Sequence, residues 1–125
     1  MEINIENVKD DDLNRIEGTI QGHINKSFNK QPVRKVLLVN PPDVDSNIFD
    51  YSIAKRGRSN NYPAYGLGVL AKNLQLNDFD VSICNLNHEV LKTVAEITDE
   101  EDFDYEKTWQ SSLDNYIETF KPDLI

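Results

Sequence analysis

The residues that mark secreted and membrane proteins are nearly absent from this sequence. Its 125 residues include one cysteine, Cys84, so no disulfide can form within the chain, and a reducing compartment fits best. No apolar run approaches the roughly 20 residues that a membrane-spanning helix needs, and residues 1–4 lack the basic and apolar regions of a signal peptide. These absences predict a cytoplasmic protein without a membrane partner.

Positive charge is also scarce. The chain has 13 lysine and arginine residues against 22 aspartate and glutamate residues, which gives a formal net charge of −9. Binding to nucleic acids or to anionic membranes requires a basic face that neutralises phosphates, so the composition argues against both classes of partner. It leaves room for one anionic ligand in a local basic pocket.

Histidine-dependent and metal-dependent sites have little support in the sequence. The two histidines, His23 and His88, are isolated, and we predict that both lie on the surface. The acids between Asp99 and Glu106 lack the central glycine and the alternating oxygen ligands of a calcium loop, so we predict a solvated loop there. Cys84 is predicted to be a small core residue.

The first 33 residues form a polar lead-in whose only clear pattern is helical. Apolar residues recur at helical spacing, which predicts one amphipathic helix over about 11–27, although Gly18 and Gly22 weaken it. We expect this helix to pack against a later part of the protein, and Gln31-Pro32 marks the boundary. The apolar positions are Leu13, Ile16, Ile20, Ile24 and Phe28.

A buried parallel strand is predicted after this boundary. Residues 36–40 are a short apolar run rich in branched side chains, which is typical of a strand covered on both faces. Pro41 and Pro42 end the strand because proline cannot donate to a sheet ladder. The polar segment 41–62 is longer than most strand-to-helix connections, and such long connections are mostly functional or disordered.

Helices and strands alternate in the rest of the chain, which favours a parallel sheet with right-handed crossovers. The predicted fold class is therefore α/β, a Rossmann-like (flavodoxin-like) parallel sheet with flanking helices. It is expected to be incomplete, because the chain stops as a third strand begins; residues 34–125 would be its first part. The predicted elements are a helix from 64 or 65 to 77 with the stripe Leu67, Leu70, Ala71 and Leu74, an edge strand over 79–85, a helix from the N-cap Asn87 to about 98, a helix carrying Trp109 to Phe120, and a strand at 123–125.

A ligand of such a sheet would lie beyond the carboxyl ends of the strands. Pro63 suits the first turn of a helix, and the free N–H groups there favour an anion. Gly66 and Gly68 either let a ligand approach or let the helix pack closely on the sheet, and the bases from Lys55 to Arg58 either add charge or are simply solvated. The candidate binding residues are Asn40, Pro41, Pro42, Tyr62, Pro63, Tyr65, Gly66, Leu67 and Gly68.

Two motifs carry a family resemblance. Asn-Pro-Pro at 40–42 ends the first strand, and Tyr-Pro-Ala-Tyr-Gly-Leu-Gly at 62–68 begins the next helix. Together with the segments 80–87 and 121–125, they resemble the amino-terminal cobalamin-binding domain of radical S-adenosylmethionine enzymes. The resemblance covers about residues 34–125, with gaps in the long loop and the acidic stretch.

The resemblance implies a Rossmann-like domain with cobalamin across the carboxyl ends of its strands, met by backbone groups at 40–42 and 65–68. It also implies a partner, the downstream radical domain of the same parent protein. There a Cys-x-x-x-Cys-x-x-Cys motif holds an iron–sulfur cluster that cleaves S-adenosylmethionine, and many members transfer methyl groups. This chain lacks that motif, so it is not expected to perform the radical step by itself.

Two departures from the family keep alternatives open. Classical cobalamin domains carry Asp-x-His-x-x-Gly, whose histidine ligates cobalt, and neither His23 nor His88 lies in that pattern. Ala64 stands where the family often has a second proline. Some members have lost cobalamin, so a non-catalytic interaction or regulatory module is the alternative, and a flavodoxin-like or receiver-like domain with another small ligand is the third.

Overall fold

The structure, a computed structural model, describes residues 10–27 and 32–125. Its contacts divide the chain into two units, Met1–Val33 and Arg34–Ile125. The first unit contains helix α1, Asp10–Ser27, which confirms the helix predicted there.

Apolar side chains lie along α1 at four-residue spacing. Ile16, Ile20 and Ile24 are exposed, so this part of the predicted stripe is present on the helix surface. The side chains of Leu13 and Phe28 lie outside the described residues, as does Gln31 at the predicted boundary.

Branched apolar side chains place strand β1, Lys35–Asn40, in the middle of a small parallel sheet. Strand β2, Asp80–Asn85, pairs with it in parallel, with Asn40 opposite Asn85 at the carboxyl ends. On the other side of β1, Leu124 forms a parallel bridge with Val36. The predicted mixed α/β architecture, with a central first strand and an edge second strand, is confirmed to this extent.

Asp123 fastens the beginning of β1 to the segment that bridges it. One carboxylate oxygen accepts hydrogen bonds from the backbone N–H groups of Arg34 and Lys35, both at 2.8 Å. These backbone hydrogen bonds are the main reason why the pKa of Asp123 is lowered. The charged carboxylate is therefore the form that holds the two segments together.

We expect Asp123→Asn to reduce the difference in unfolding free energy between pH 7 and pH 3. Because the folded pKa of Asp123 is below its ordinary value, its contribution is complete above the unfolded pKa and is lost as the pH falls through the folded pKa. Urea unfolding at pH 7 and at pH 3 measures the two limbs. An unchanged difference between these pH values in the variant would contradict this role.

Helices cover the two faces of the sheet. Leu37 of β1 and Cys84 of β2 share a core with Leu86, and the covering side chains come from helix α5, Tyr105–Phe120. Side chains alternate between faces along a strand, so Ile83 faces the other side. The covering residues of α5 are Trp109, Leu113, Tyr116, Ile117 and Phe120.

Helix α3, Tyr65–Leu76, packs against β2 and β1 but corrects the predicted stripe. Ala71 is buried and Leu67 is half-buried, whereas Leu70 is 53% exposed. The face of α3 that contacts the sheet is therefore centred on Ala71, with the half-buried Leu67 and Leu74 on it and Leu70 outside it.

Helix α4, Leu86–Glu96, has its N-cap two positions before the predicted one. Its N-cap is Asn85, whose side-chain oxygen accepts from the backbone N–H of His88 at 3.1 Å. The prediction of Asn87 as N-cap is therefore wrong, and Asn87 is instead buried. The competing cap wins because Asn85 ends β2, so the strand passes directly into the helix.

The predicted solvated loops contain more structure than expected. Helix α2, Tyr51–Lys55, interrupts the long connection, with Asp50 as its N-cap. A short 3-10 turn, Glu100–Asp102, occupies the acidic stretch, whose acids are exposed as predicted. None of the helices in the described part of the chain is long and apolar enough to cross a membrane.

Cys84 is predicted to resist alkylation in the folded chain. The side chain is completely buried, and burial, followed by the nearby Glu89, raises the pKa of its thiol to about 11. The thiolate is the reactive form, so iodoacetamide at pH 8 should label the native chain far more slowly than the urea-unfolded chain, as followed by mass spectrometry. Equal labelling rates of the native and the unfolded chain would show that Cys84 is accessible to the reagent in the folded chain.

Candidate functional site

A cleft of about 660 Å³ opens where α3 begins and β2 ends. We call it the rim cleft, since it lies at the carboxyl end of a parallel strand, where ligands of open α/β sheets bind. One wall runs along α3 from Pro63, just before the helix, to Asn73, and the other consists of Ile83 and Asn85 of β2. The lining residues are Pro63, Ala64, Tyr65, Gly68, Val69, Lys72, Asn73, Ile83 and Asn85.

The rim cleft contains part of the predicted site. Pro63, Tyr65 and Gly68 line it directly. Asn40 does not line the cleft, but its side-chain N–H donates at 3.0 Å to the side-chain oxygen of the lining residue Asn85. The carboxyl ends of β1 and β2 thus meet through an asparagine pair.

Other predicted residues lie apart from this cleft. Pro42 lines a separate cleft of about 310 Å³ together with Tyr105 and Trp109. Pro41, Tyr62 and Gly66 are exposed outside the lining of the rim cleft, and Leu67 is half-buried. The Asn-Pro-Pro turn and the helix start therefore do not form one continuous surface.

The glycines of α3 do not serve close packing within this chain. A Cβ atom built on Gly66 or Gly68 would meet no heavy atom within 4 Å. Close helix-to-sheet approach, one of the two predicted explanations, is therefore wrong for both positions. The space beside Gly68 opens onto the rim cleft, which keeps the approach of a ligand as the explanation for that residue.

Gly68→Ala is expected to raise the free energy of unfolding by about 0.5–1 kcal/mol, because alanine is the better residue in a helix interior. Urea denaturation measures the change. Gly57→Ala is the matched control: Gly57 has a φ of +67°, so alanine is strained there and should destabilise the chain by about 1 kcal/mol. A loss of stability in Gly68→Ala would mean that the position is packed after all.

Several residues of the rim cleft were not among the binding residues predicted from the sequence. Lys72 and Asn73 supply a cation and an amide from the second and third turns of α3, while Ile83 and Asn85 supply an apolar side chain and an amide from β2. Asn85 had a detectable signal, since an asparagine directly before a helix is a preferred N-cap. The others depend on which turn of α3 lies beside β2, and the sequence does not specify that.

The three bases of the long connection have separate roles. Lys55 donates to backbone carbonyls of α4, Arg56 to the backbone and hydroxyl oxygens of Ser52, and Arg58 lines a cavity beneath the connection. They do not converge, so the alternative of a joint phosphate clamp is not supported. None of them lines the rim cleft.

No metal centre is evident where the structure describes the chain: residues 10–27 and 32–125 contain no group of three or more histidine, cysteine, aspartate or glutamate side chains placed to hold a metal ion. Both histidines are exposed, as predicted, although the ring Nδ1 of His88 lies 3.2 Å from the side-chain nitrogen of Asn61. Comparisons with protein-family models, with curated proteins and with solved structures find no match to this chain.

Proposed function

We propose that this chain is the cobalamin-binding amino-terminal domain of a radical S-adenosylmethionine enzyme. The observation that carries the proposal is the rim cleft, which joins the Tyr-Pro-x-x-Gly-Leu-Gly start of α3 to the carboxyl end of a parallel strand. The sequence resemblance supplies the identity of the ligand, and the cleft supplies a surface for it.

The lining chemistry fits part of a corrin. The ring is flat and carries amide groups at its edge, and its tail contains one phosphodiester. Val69 and Ile83 offer apolar contact, Asn85 offers an amide partner, and Lys72 offers a cation for the phosphodiester. The open space beside Gly68 lets a broad ligand approach the helix.

The role of these residues is to bind and orient the cofactor. Cobalamin would supply the cobalt that carries a methyl group in family members that transfer one. The lining contains no histidine, so this chain would hold the ring by its faces and edges rather than through a histidine ligand. The iron–sulfur cluster and S-adenosylmethionine belong to the proposed downstream domain.

Reconstitution with hydroxocobalamin tests the proposal. The chain is expected to retain corrin absorbance in the visible spectrum after desalting, and Gly68→Phe should abolish retention by filling the rim cleft. Leu70→Phe is the matched control, since Leu70 lies on the same helix but outside the lining. Loss of colour from both variants, or no retention by the unmodified chain, would refute the proposal.

The second candidate function is a non-catalytic interaction module, and one observation favours it. Tyr65, Val69 and Leu76 are large apolar side chains that are exposed on α3, although a helix that is apolar on most sides is usually covered. This function predicts that the unmodified chain retains no corrin, so the same reconstitution separates the two candidates.

A further inference from the structure

The connection between β1 and α3 is tied along its length to α4. Residues 43–61, which we call the strap, contain α2 and run over a cavity of about 240 Å³. The side chains of Ile53 and Leu91 line this cavity, from the strap and from α4 respectively. The cavity shares no lining residue with the rim cleft, so opening of the strap does not depend on whether the rim cleft binds cobalamin.

One anchor of the strap is the buried amide of Asn87. Its oxygen accepts from the backbone N–H of Asp43 at 3.1 Å, and its nitrogen donates to the backbone oxygen of Asn60 at 2.9 Å. A single side chain therefore holds both ends of the strap at the first turn of α4. Because Asn87 is only 8% exposed, opening this anchor would leave buried polar groups without partners.

A second anchor is the ammonium group of Lys55 at the end of α4, where the hydroxyl of Tyr51 also donates to the backbone oxygen of Ile97 at 3.5 Å. It donates to the backbone oxygens of Val94 at 2.9 Å and Ala95 at 3.2 Å, and also to that of Ile97. The last turn of α4 carries no base of its own and ends at Glu96. Lys55 therefore supplies the positive charge that the free carbonyl groups at a helix carboxyl end favour.

We propose that the strap opens from its Lys55 end while the Asn87 end stays closed. The two anchors differ in solvation: Lys55 is exposed, so water can replace its carbonyl partners, whereas the amide of Asn87 is buried. Separation at Lys55 would lift α2 from α4 and expose the buried Ala54 and the half-buried Leu91 without disturbing the sheet. The connection is thus a preformed cover with one releasable end.

Amide hydrogen exchange in Lys55→Met tests this device. The N–H of Ala54 in α2, which donates to the backbone oxygen of the N-cap Asp50, should exchange about 5- to 30-fold faster than in the unmodified chain. The N–H groups of Asp43 at the Asn87 anchor and of Leu37 in the sheet should keep their rates. A uniform increase at all three amides, or no change at Ala54, would overturn the proposal.

Lys92→Met is the matched control for the same change of side chain. Lys92 is exposed on α4, and its side chain has no hydrogen bond or ion pair with a described residue, so exchange at Ala54 should stay as in the unmodified chain. An equal effect of both lysine variants would count against a specific anchor.

Trypsin cleavage provides a second measurement that needs no variant. In the unmodified chain, cleavage after Arg56 and Arg58 should depend on urea more weakly than global unfolding does, because local opening exposes less surface. An identical urea dependence would mean that the strap opens only when the whole chain unfolds, which would overturn the proposal.

Discussion

Leu37→Ala is expected to destabilise the chain by about 2–5 kcal/mol, the usual cost of emptying a fully packed leucine site. Leu37 is 1% exposed and contacts the core formed by Cys84 and Leu86. Small domains have a total stability of only about 5–15 kcal/mol. The variant should therefore be largely unfolded in urea concentrations that leave the unmodified chain folded, as circular dichroism would show.

Leu70→Ala is the control for this first prediction. The same atoms are removed, but Leu70 is 53% exposed on α3, so the change should stay within about 1 kcal/mol. Comparable losses of unfolding free energy in the two variants would contradict the burial of Leu37 in β1 and the exposure of Leu70 on α3. The pair thus tests which of the two leucines is in the core, since both variants remove the same apolar atoms.

Asn87→Ala should cost about 1–3 kcal/mol, since it leaves two backbone groups of the strap without their buried partner. The N–H of Asp43 and the backbone oxygen of Asn60 both depend on this amide. Urea unfolding measures the loss. We also expect the aromatic near-ultraviolet signal to change, because Phe49 of the strap packs against Phe103 with ring centroids 5.5 Å apart.

Asn115→Ala provides the comparison for Asn87→Ala. Asn115 is exposed on α5, and its side chain makes no hydrogen bond with a described residue. Alanine is also the better helix former, so this variant should be neutral or more stable by a few tenths of a kcal/mol, roughly the difference in helix propensity. An effect of Asn87→Ala no larger than that of Asn115→Ala would show that the strap does not depend on the buried amide.

The sequence predicted the elements whose signal is local and strong. The branched run at 36–40 is the central strand, the alternating segment 79–85 contains the edge strand, and Cys84 is in the core. Each depends on side-chain chemistry within a few neighbouring residues. The same is true of α5, whose apolar spacing matches the face that covers the sheet.

The features that the sequence missed depend on distant partners. Helix α2 has only five residues and is held by contacts of Lys55 with a helix some forty positions later. Asn85 and Asn87 are both suitable caps; which one caps α4 is decided by where β2 ends beside Asn40. The exposure of Leu70 was missed because α3 also carries apolar residues outside the predicted stripe, such as Tyr65, Val69 and Leu76.

The most direct test of the central claim is a titration of the isotopically labelled chain with hydroxocobalamin, followed by methyl resonances in NMR spectra. A corrin bound in the rim cleft should shift the methyl signals of Val69 and Ile83 in a saturable way, while those of Val90 and Val94 in the interior of α4 remain in place. No saturable shift at Val69 and Ile83, or shifts confined to Ile53 and Leu91 beneath the strap, would contradict the claim that the start of α3 and the end of β2 form the cofactor site.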